Sequence, residues 1–275
     1  MLARLRVLIQ MERALWRTPG VPFKVRCLYA LSRVTTLPSG GYVWWFGCRL
    51  YSDSRLGLLL MPGYLQECQT VLQAITSLSV PRDAPLIVLD IGANVGQFAS
   101  TLLALDSSTQ VLSVEPNPVV LPILRENLKS FVGRSFILTR AVGPEMKQSD
   151  FFFVVGKSAQ GSMYAENATK NLVGDPTAQR VPIEEGPITS EQLVQIGWSP
   201  SQIVDLVKLD VEGYEMTALA GLSTIDIHFL WVEVIPDRHG GVSVSEFIET
   251  LQSSTSRRAT TVAGLGDNVL LELRA

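Results

Sequence analysis

Val88-Leu89-Asp90-Ile91-Gly92-Ala93-Asn94-Val95-Gly96 is an apolar run that closes on an acid and two glycines, and Gln97 to Leu105 follows with helical periodicity. A strand that breaks into a glycine turn and then a helix is the corner of an open α/β sheet where cofactors dock. Glycine takes torsions closed to other residues there and lets a ligand approach the backbone. The dinucleotide fingerprint is not met, because Asn94 and Gln97 stand where its later glycines belong, and the P-loop lysine is absent as well. An acid before the first glycine suits a cofactor with an ammonium group, a sulfonium centre and no pyrophosphate. S-adenosylmethionine fits that description. Taken alone, the motif is also compatible with an ordinary glycine turn.

The next apolar run narrows the choice. Val111-Leu112-Ser113-Val114-Glu115 ends in an acid 19 residues after Gly96, where a carboxylate can accept bonds from both ribose hydroxyls. Working outward, short apolar runs alternate with amphipathic stretches from Leu86 onward, the pattern of a parallel sheet wound by helices. Strands are expected at Leu86 to Asp90, Val111 to Glu115, Ser135 to Arg140, Val204 to Asp210 and Ile227 to Ile235. Helices are expected at Gln97 to Leu105, Val119 to Phe131, Thr189 to Ile196 and Tyr214 to Ala220. The tail adds a helix near Val244 to Leu251 and paired strands at Thr260 to Val262 and Val269 to Leu273. Phe151 to Val155 reads as an extra strand, and Gly156 to Gly186 has no clear pattern.

Ahead of Pro81 lies an accessory region, residues 1–80, which leaves residues 81–275 as the main domain. Residues 1–56 hold nine basic residues against Glu12 and Asp53, a net of +7, so the remainder carries −10. Such asymmetry marks a segment with its own task, and an acceptor-selecting cap is the expectation. Tyr42 to Tyr51 is aromatic enough for short strands, and Tyr64 to Leu78 is helical after a Pro62-Gly63 break. Leu2, Leu5, Ile9, Leu15 and Trp16 fall at helical spacing opposite arginines. That helix either packs on its own domain or makes peripheral membrane contact; no signal peptide or spanning segment is expected. An overall charge of −3 argues against nucleic acid as a partner. Three cysteines at spacings unlike any zinc pattern fit a reducing, cytoplasmic setting. Oligomeric state stays open.

DIGANVG at 90–96, VEPNP at 114–118, RENL at 125–128 and VKLDVEGYE at 207–215, followed by LAGL and WVEV, resemble the FkbM-type methyltransferase family over about residues 86–235. The resemblance implies a class I methyltransferase fold, a Rossmann-like, doubly wound, mostly parallel seven-stranded sheet. It also implies S-adenosylmethionine as cofactor and O-methylation of a sugar, glycolipid or secondary-metabolite acceptor. Under it, Asp90, Gly92, Ala93, Asn94 and Gly96 line the methionine and sulfonium portion. Glu115, with Pro116 and Asn117, holds the ribose, Ala141 and Val142 meet the adenine, and Asp210 adjoins the cofactor. The family's serine-containing loop is matched only loosely by Gly161-Ser162-Met163.

Lys208-Leu209-Asp210-Val211-Glu212-Gly213 is the second chemical stretch. Period two puts Lys208 and Asp210 on one face of a strand. A lysine in an apolar strand needs a carboxylate, for which Glu212 and Glu233 are the candidates. An alcohol attacks a methyl group only once its proton is taken, so Asp210 and Glu212 are candidate bases and His239 a third. Glu233 completes a catalytic set of Lys208, Asp210, Glu212, Glu233 and His239. A structural ion pair is an equal reading of Lys208. A divalent metal on Asp210, Glu212 and Glu233 is chemically open, though no spacing demands it. The Asn/Asp-Pro-Pro-Tyr/Phe motif of amino-group methylation is absent. The alternatives are an N- or protein methyltransferase, or a non-catalytic cofactor-binding partner in a biosynthetic assembly.

Overall fold

A computed structural model describes residues 41–53, 57–58, 60–78, 84–154, 161–165, 178–199, 203–235, 242–255 and 257–274. The amphipathic stretch at residues 1–17 and His239 lie outside these. The main sheet uses β3 (Ile87–Ile91), β4 (Gln110–Val114), β5 (Ser135–Leu138), β9 (Val204–Leu209), β10 (Ile227–Glu233), β11 (Arg258–Leu265) and β12 (Asn268–Arg274). Their order is β11-β12-β10-β9-β3-β4-β5, the seven-stranded sheet expected. β10, β9, β3, β4 and β5 run parallel, and at one edge β12 alone is reversed, lying antiparallel between β10 and β11. After β5 the chain crosses to the far side of β3 to lay down β9 and then β10. β3 and β9 therefore flank the switch point, where two loops part at the carboxyl ends and leave a crevice.

Alternate residues of these strands feed two apolar layers, because a parallel sheet is covered on both faces. Val88, Val111, Leu206, Phe229 and Trp231 face one layer, and Leu89, Leu112, Val207, Leu230 and Val232 face the other. The first layer is closed by α1 (Met61–Leu78), α2 (Gln97–Leu105) and α3 (Leu121–Leu128), and the second by α5 (Glu215–Ala220) and α6 (Val244–Thr255). α4 (Ser190–Gln195) begins with a capping box between Thr189 and Gln192.

α1 starts earlier than its sequence suggested. Pro62 and Gly63 lie in its first turn, a place where proline is tolerated because no intrahelical N–H is lost. Cys68, Val71 and Ile75 are buried in the same layer as the sheet. Met61 and Leu65 instead close a smaller cluster with Val43, Trp45 and Leu50 of the hairpin β1 (Gly41–Trp45) and β2 (Cys48–Ser52). Trp45 Nε1 donates to Thr101 Oγ1 on α2 at 3.0 Å. Between β5 and α4 the chain builds a second sheet, in the order β6-β8-β7, from β6 (Ala141–Val142), β7 (Lys147–Val154) and β8 (Ala178–Gly186). The third strand, expected over Ser135 to Arg140, ends at Leu138, and β6 just beyond it pairs with β8. No helix among the described residues is long and apolar enough to cross a membrane.

Asn127 on α3 joins three separate segments. Its Oδ1 accepts from Tyr51 N at 2.7 Å, and its Nδ2 donates to Tyr51 O at 2.8 Å and to Val95 O at 2.6 Å. The residue is 3% exposed, so removing the amide strands buried backbone groups. Asn127→Ala is expected to lower the unfolding free energy by about 2–4 kcal/mol, read by urea denaturation. A loss under about 0.5 kcal/mol would mean that water replaces the amide without penalty.

Candidate active site

The loop after β3 is shaped by three left-handed residues, Gly92 (φ 79°), Asn94 (φ 52°) and Gly96 (φ 80°). A Cβ on Gly92 would lie 1.9 Å from Asp210 O, so only glycine lets this loop touch the loop after β9. Gly92 N and Ala93 N donate to Val114 O, and Asn94 N donates to Glu115 Oε2 at 2.7 Å. Glu115 Oε1 accepts from Asn117 N at 2.8 Å. Glu115 thus ties its own loop to the glycine loop. Burial pushes its carboxyl up to about 7, against the two N–H bonds that favour the anion.

Across the crevice, register pairs Lys208 with Asp90 on neighbouring parallel strands. Lys208 Nζ lies 3.6 Å from Asp90 Oδ1, 3.1 Å from Asp210 Oδ2 and 3.3 Å from Gly92 O. Glu212 and Glu233 were the partners expected for this lysine. Asp90 and Asp210 take that place, because β3 adjoins β9 and side chains two apart on a strand share a face. Burial opposes the charge on Lys208, but Asp210 and Asp90 outweigh it and hold the ammonium well above the usual lysine range. Burial also raises the Asp90 carboxyl, and Lys208 opposes that shift.

After β9 the backbone takes positive φ at Glu212 (54°) and Gly213 (96°), and Glu215 Oε1 accepts from Val211 N and Gly213 N. A non-glycine residue in that region is strained, and such strain clusters at functional loops. Ser162 Oγ donates to Glu212 O at 3.0 Å, fixing the loop to the second sheet. Carboxylate oxygens of Asp210, Glu212 and Glu233 lie within 4.8 Å of one another, a set of hard oxygen donors able to hold a divalent cation.

These loops enclose a cavity of about 200 Å³. Of the residues expected from sequence, Gly92, Ala93, Asn94, Glu115, Pro116, Ala141, Val142, Lys208, Asp210, Glu212 and Glu233 all line it. Three do not. Asp90 is fully buried behind Lys208, Gly96 packs on Leu124 at the start of α2, and Asn117 is 1% exposed and shapes the β4 loop. Sequence reasoning missed Tyr64, Arg140, Phe151, Met163 and Tyr214, which also line the cavity. Tyr64 and Glu67 gave one readable signal, polar groups set among the apolar positions of an amphipathic helix.

Residues 90–258 match the methyltransferase FkbM domain. This chain belongs to the FkbM methyltransferase family. Residues 90–258 are therefore a methyltransferase domain of that family. The hexuronic acid methyltransferase AglP of Haloferax volcanii is 26% identical over 170 residues, 61% of this chain and 62% of its own length. The chain thus spans less than two thirds of that relative. Among solved structures, Podospora anserina methyltransferase PaMTH1 bound to S-adenosylhomocysteine is similar over 99% of this chain and 94% of its own (14% identity, TM-score 0.44). Magnesium protoporphyrin IX methyltransferase (ChlM) of Synechocystis, with bound S-adenosylmethionine, is similar over 94% of this chain and 100% of its own (11% identity, TM-score 0.44).

Glu67 on α1 stands below this cavity of the FkbM domain, accepting from Trp231 Nε1 at 3.3 Å. Burial pushes its carboxyl up to about 7, while Lys208 and the Trp231 bond pull down and Asp210 and Asp90 push up. A carboxyl raised in the folded state keeps a proton that the unfolded chain has already lost. Stability therefore falls as pH rises from the ordinary glutamate range through 7. Glu67→Gln keeps the bond to Trp231 and removes this titration. Between pH 5.5 and 8, urea unfolding is expected to show the wild type losing on the order of 1–3 kcal/mol relative to the variant. Equal pH slopes in the two proteins would show that Glu67 ionises normally.

Proposed function

We propose that this chain transfers the methyl group of S-adenosylmethionine to a hydroxyl oxygen of a sugar acceptor. The observation that carries the reading is the convergence of Asp210, Glu212 and Glu233 beside Lys208, at one end of the cavity. The name of the Haloferax relative supports a sugar. An acid-lined cavity disfavours a phosphate backbone, consistent with no nucleic-acid acceptor.

The residues present fit the cofactor. The Gly92 cradle would be filled by a Cβ, and Asn94 Oδ1 is buried without a hydrogen-bond partner among the described residues. Across the sheet the lining changes character in step with strand order. Lys208, Asp210 and Gly92 stand at β9 and β3, Glu115 at β4, and Ala141, Val142 and Phe151 at the second sheet beyond β5. A charged amino-acid end, a ribose and an apolar base meet that sequence of surfaces in order. The cofactor supplies an electrophilic methyl carbon on a sulfonium. Glu115 would take the ribose hydroxyls with its remaining lone pairs. Asp210, 3.1 Å from Lys208 Nζ at the cavity wall, is the first candidate base. Glu212, aimed by its left-handed backbone, is the second candidate base.

A second reading rests on the same three carboxylates. A divalent cation held by Asp210, Glu212 and Glu233 would lower the hydroxyl's pKa and offset repulsion of an acidic sugar. Within residues 1–80, the hairpin fits an acceptor-selecting cap. On the hairpin, Arg49 lies 4.9 Å from the Tyr42 ring and 5.2 Å from that of Trp44, a surface suited to a ring-shaped or anionic group.

The purified chain, given S-adenosylmethionine and a panel of uronic acids, neutral sugars and amines, is expected to add one CH₂ to a sugar oxygen. Methylation confined to amines would overturn the reading. Asp210→Asn or Glu212→Gln should keep S-adenosylhomocysteine affinity while one of them lowers turnover by roughly 10²–10⁴. Effects below about tenfold at both positions would assign the acids a structural role. In the metal reading, a chelator abolishes turnover and added magnesium or manganese restores it; turnover that survives the chelator leaves base catalysis alone.

A further inference from the structure

Tyr64 reaches the catalytic cavity from α1, inside the stretch of sequence that looks like an accessory region. Its ring packs with both the sheet layer and the hairpin cluster, and its side chain lines the cavity together with Gly92, Phe98 and Lys208. Lys208 of β9 and Gly92 just past β3 line the cavity with it, and Asp210, Lys208, Glu67 and Asp90 are the charged groups that act on its hydroxyl. Burial is the larger cause and Asp210 the next in raising its pKa, so the hydroxyl stays protonated and is a donor.

Donors at that end are few. Lys208 directs its ammonium at Asp90, Asp210 and Gly92 O, and Gln97 Nε2 donates to Gly57 O at 2.6 Å. Asn94 sits toward the ribose position, its own N–H on Glu115. The Tyr64 hydroxyl has no hydrogen-bond partner among the described residues. An amino-acid end carries a carboxylate as well as an ammonium, and with Lys208 already turned to Asp90, Asp210 and Gly92 O that carboxylate needs another donor.

We propose that Tyr64 is a cofactor-binding residue, its hydroxyl donating to the carboxylate at the amino-acid end of the bound nucleoside, so that α1 completes the catalytic pocket. The inference rests on S-adenosylmethionine being the cofactor. It also implies that the functional boundary falls before Met61 and not at residue 80.

Tyr64→Phe removes one oxygen and keeps the ring in both clusters. Calorimetry on the full chain should show S-adenosylhomocysteine binding weakened about 10- to 100-fold, the scale of a hydrogen bond to a charged group. Its decarboxylated analogue, which keeps the ammonium, should bind wild type and variant alike. An unchanged affinity for S-adenosylhomocysteine overturns the proposal. So does an equal loss for both ligands, which would report a disturbed pocket; a lowered melting temperature would identify that case. Should wild type bind neither ligand, the cofactor reading itself fails, an outcome separate from any effect of Tyr64. Tyr64→Leu, which also removes the ring, should lower the melting temperature while repeating the ligand-selective loss, and equal losses for the two ligands there also count against the proposal.

Discussion

One ammonium group organises the centre of this molecule. Lys208 is 4% exposed, and a lone charge at that depth would cost several kcal/mol. It is tolerated because β3 and β9 are neighbours in register, which sets Asp90 on one side of the nitrogen and Asp210 on the other. The close approach of Gly92 to Asp210 O completes the arrangement by letting a backbone carbonyl supply a third contact. Fold and site are therefore not separable here. The switch point that parts the two loops is also the place where the charges must be neutralised, and neutralising them fixes where both loops go.

Much of this was legible in the chain. Period-two alternation and the glycine turn after Asp90 give the strand, the helix beginning at Gln97 and the cofactor corner, because each follows from local sterics. Glu115 was found by its distance from that turn. What local rules could not give was partnership across strands. The sequence suggests Glu212 and Glu233 for Lys208 because they are near or similarly placed, whereas sheet order, a property of the whole chain, selects Asp90. The same limit explains the second sheet. β8 has no pattern of its own to announce it, and it exists by pairing along the full length of β7.

The insertion that resisted sequence reading also reaches the cavity. Gly161 and Met163 line it from there, beside Phe151 of β7, and Ser162 donates to the carbonyl of Glu212. Glu185 on β8 is fully buried and accepts from Tyr214 Oη at 2.8 Å, which holds that ring against the cavity. The apolar and the acidic parts of the cavity wall thus come from different sheets, joined by a few side-chain bonds.

The bond between Trp231 and Glu67 spans 164 residues of chain. α1 is made well before the strand faces that share its layer, on β9, β10 and β12. During synthesis α1 has nothing complete to lie on until the tail has emerged, and its apolar face must wait, either loosely collapsed or guarded by other factors. Contacts of such sequence separation slow folding, because a long loop must close before any of them forms. A chain cut short before β10 would carry every glycine of the turn after β3 without a floor beneath it.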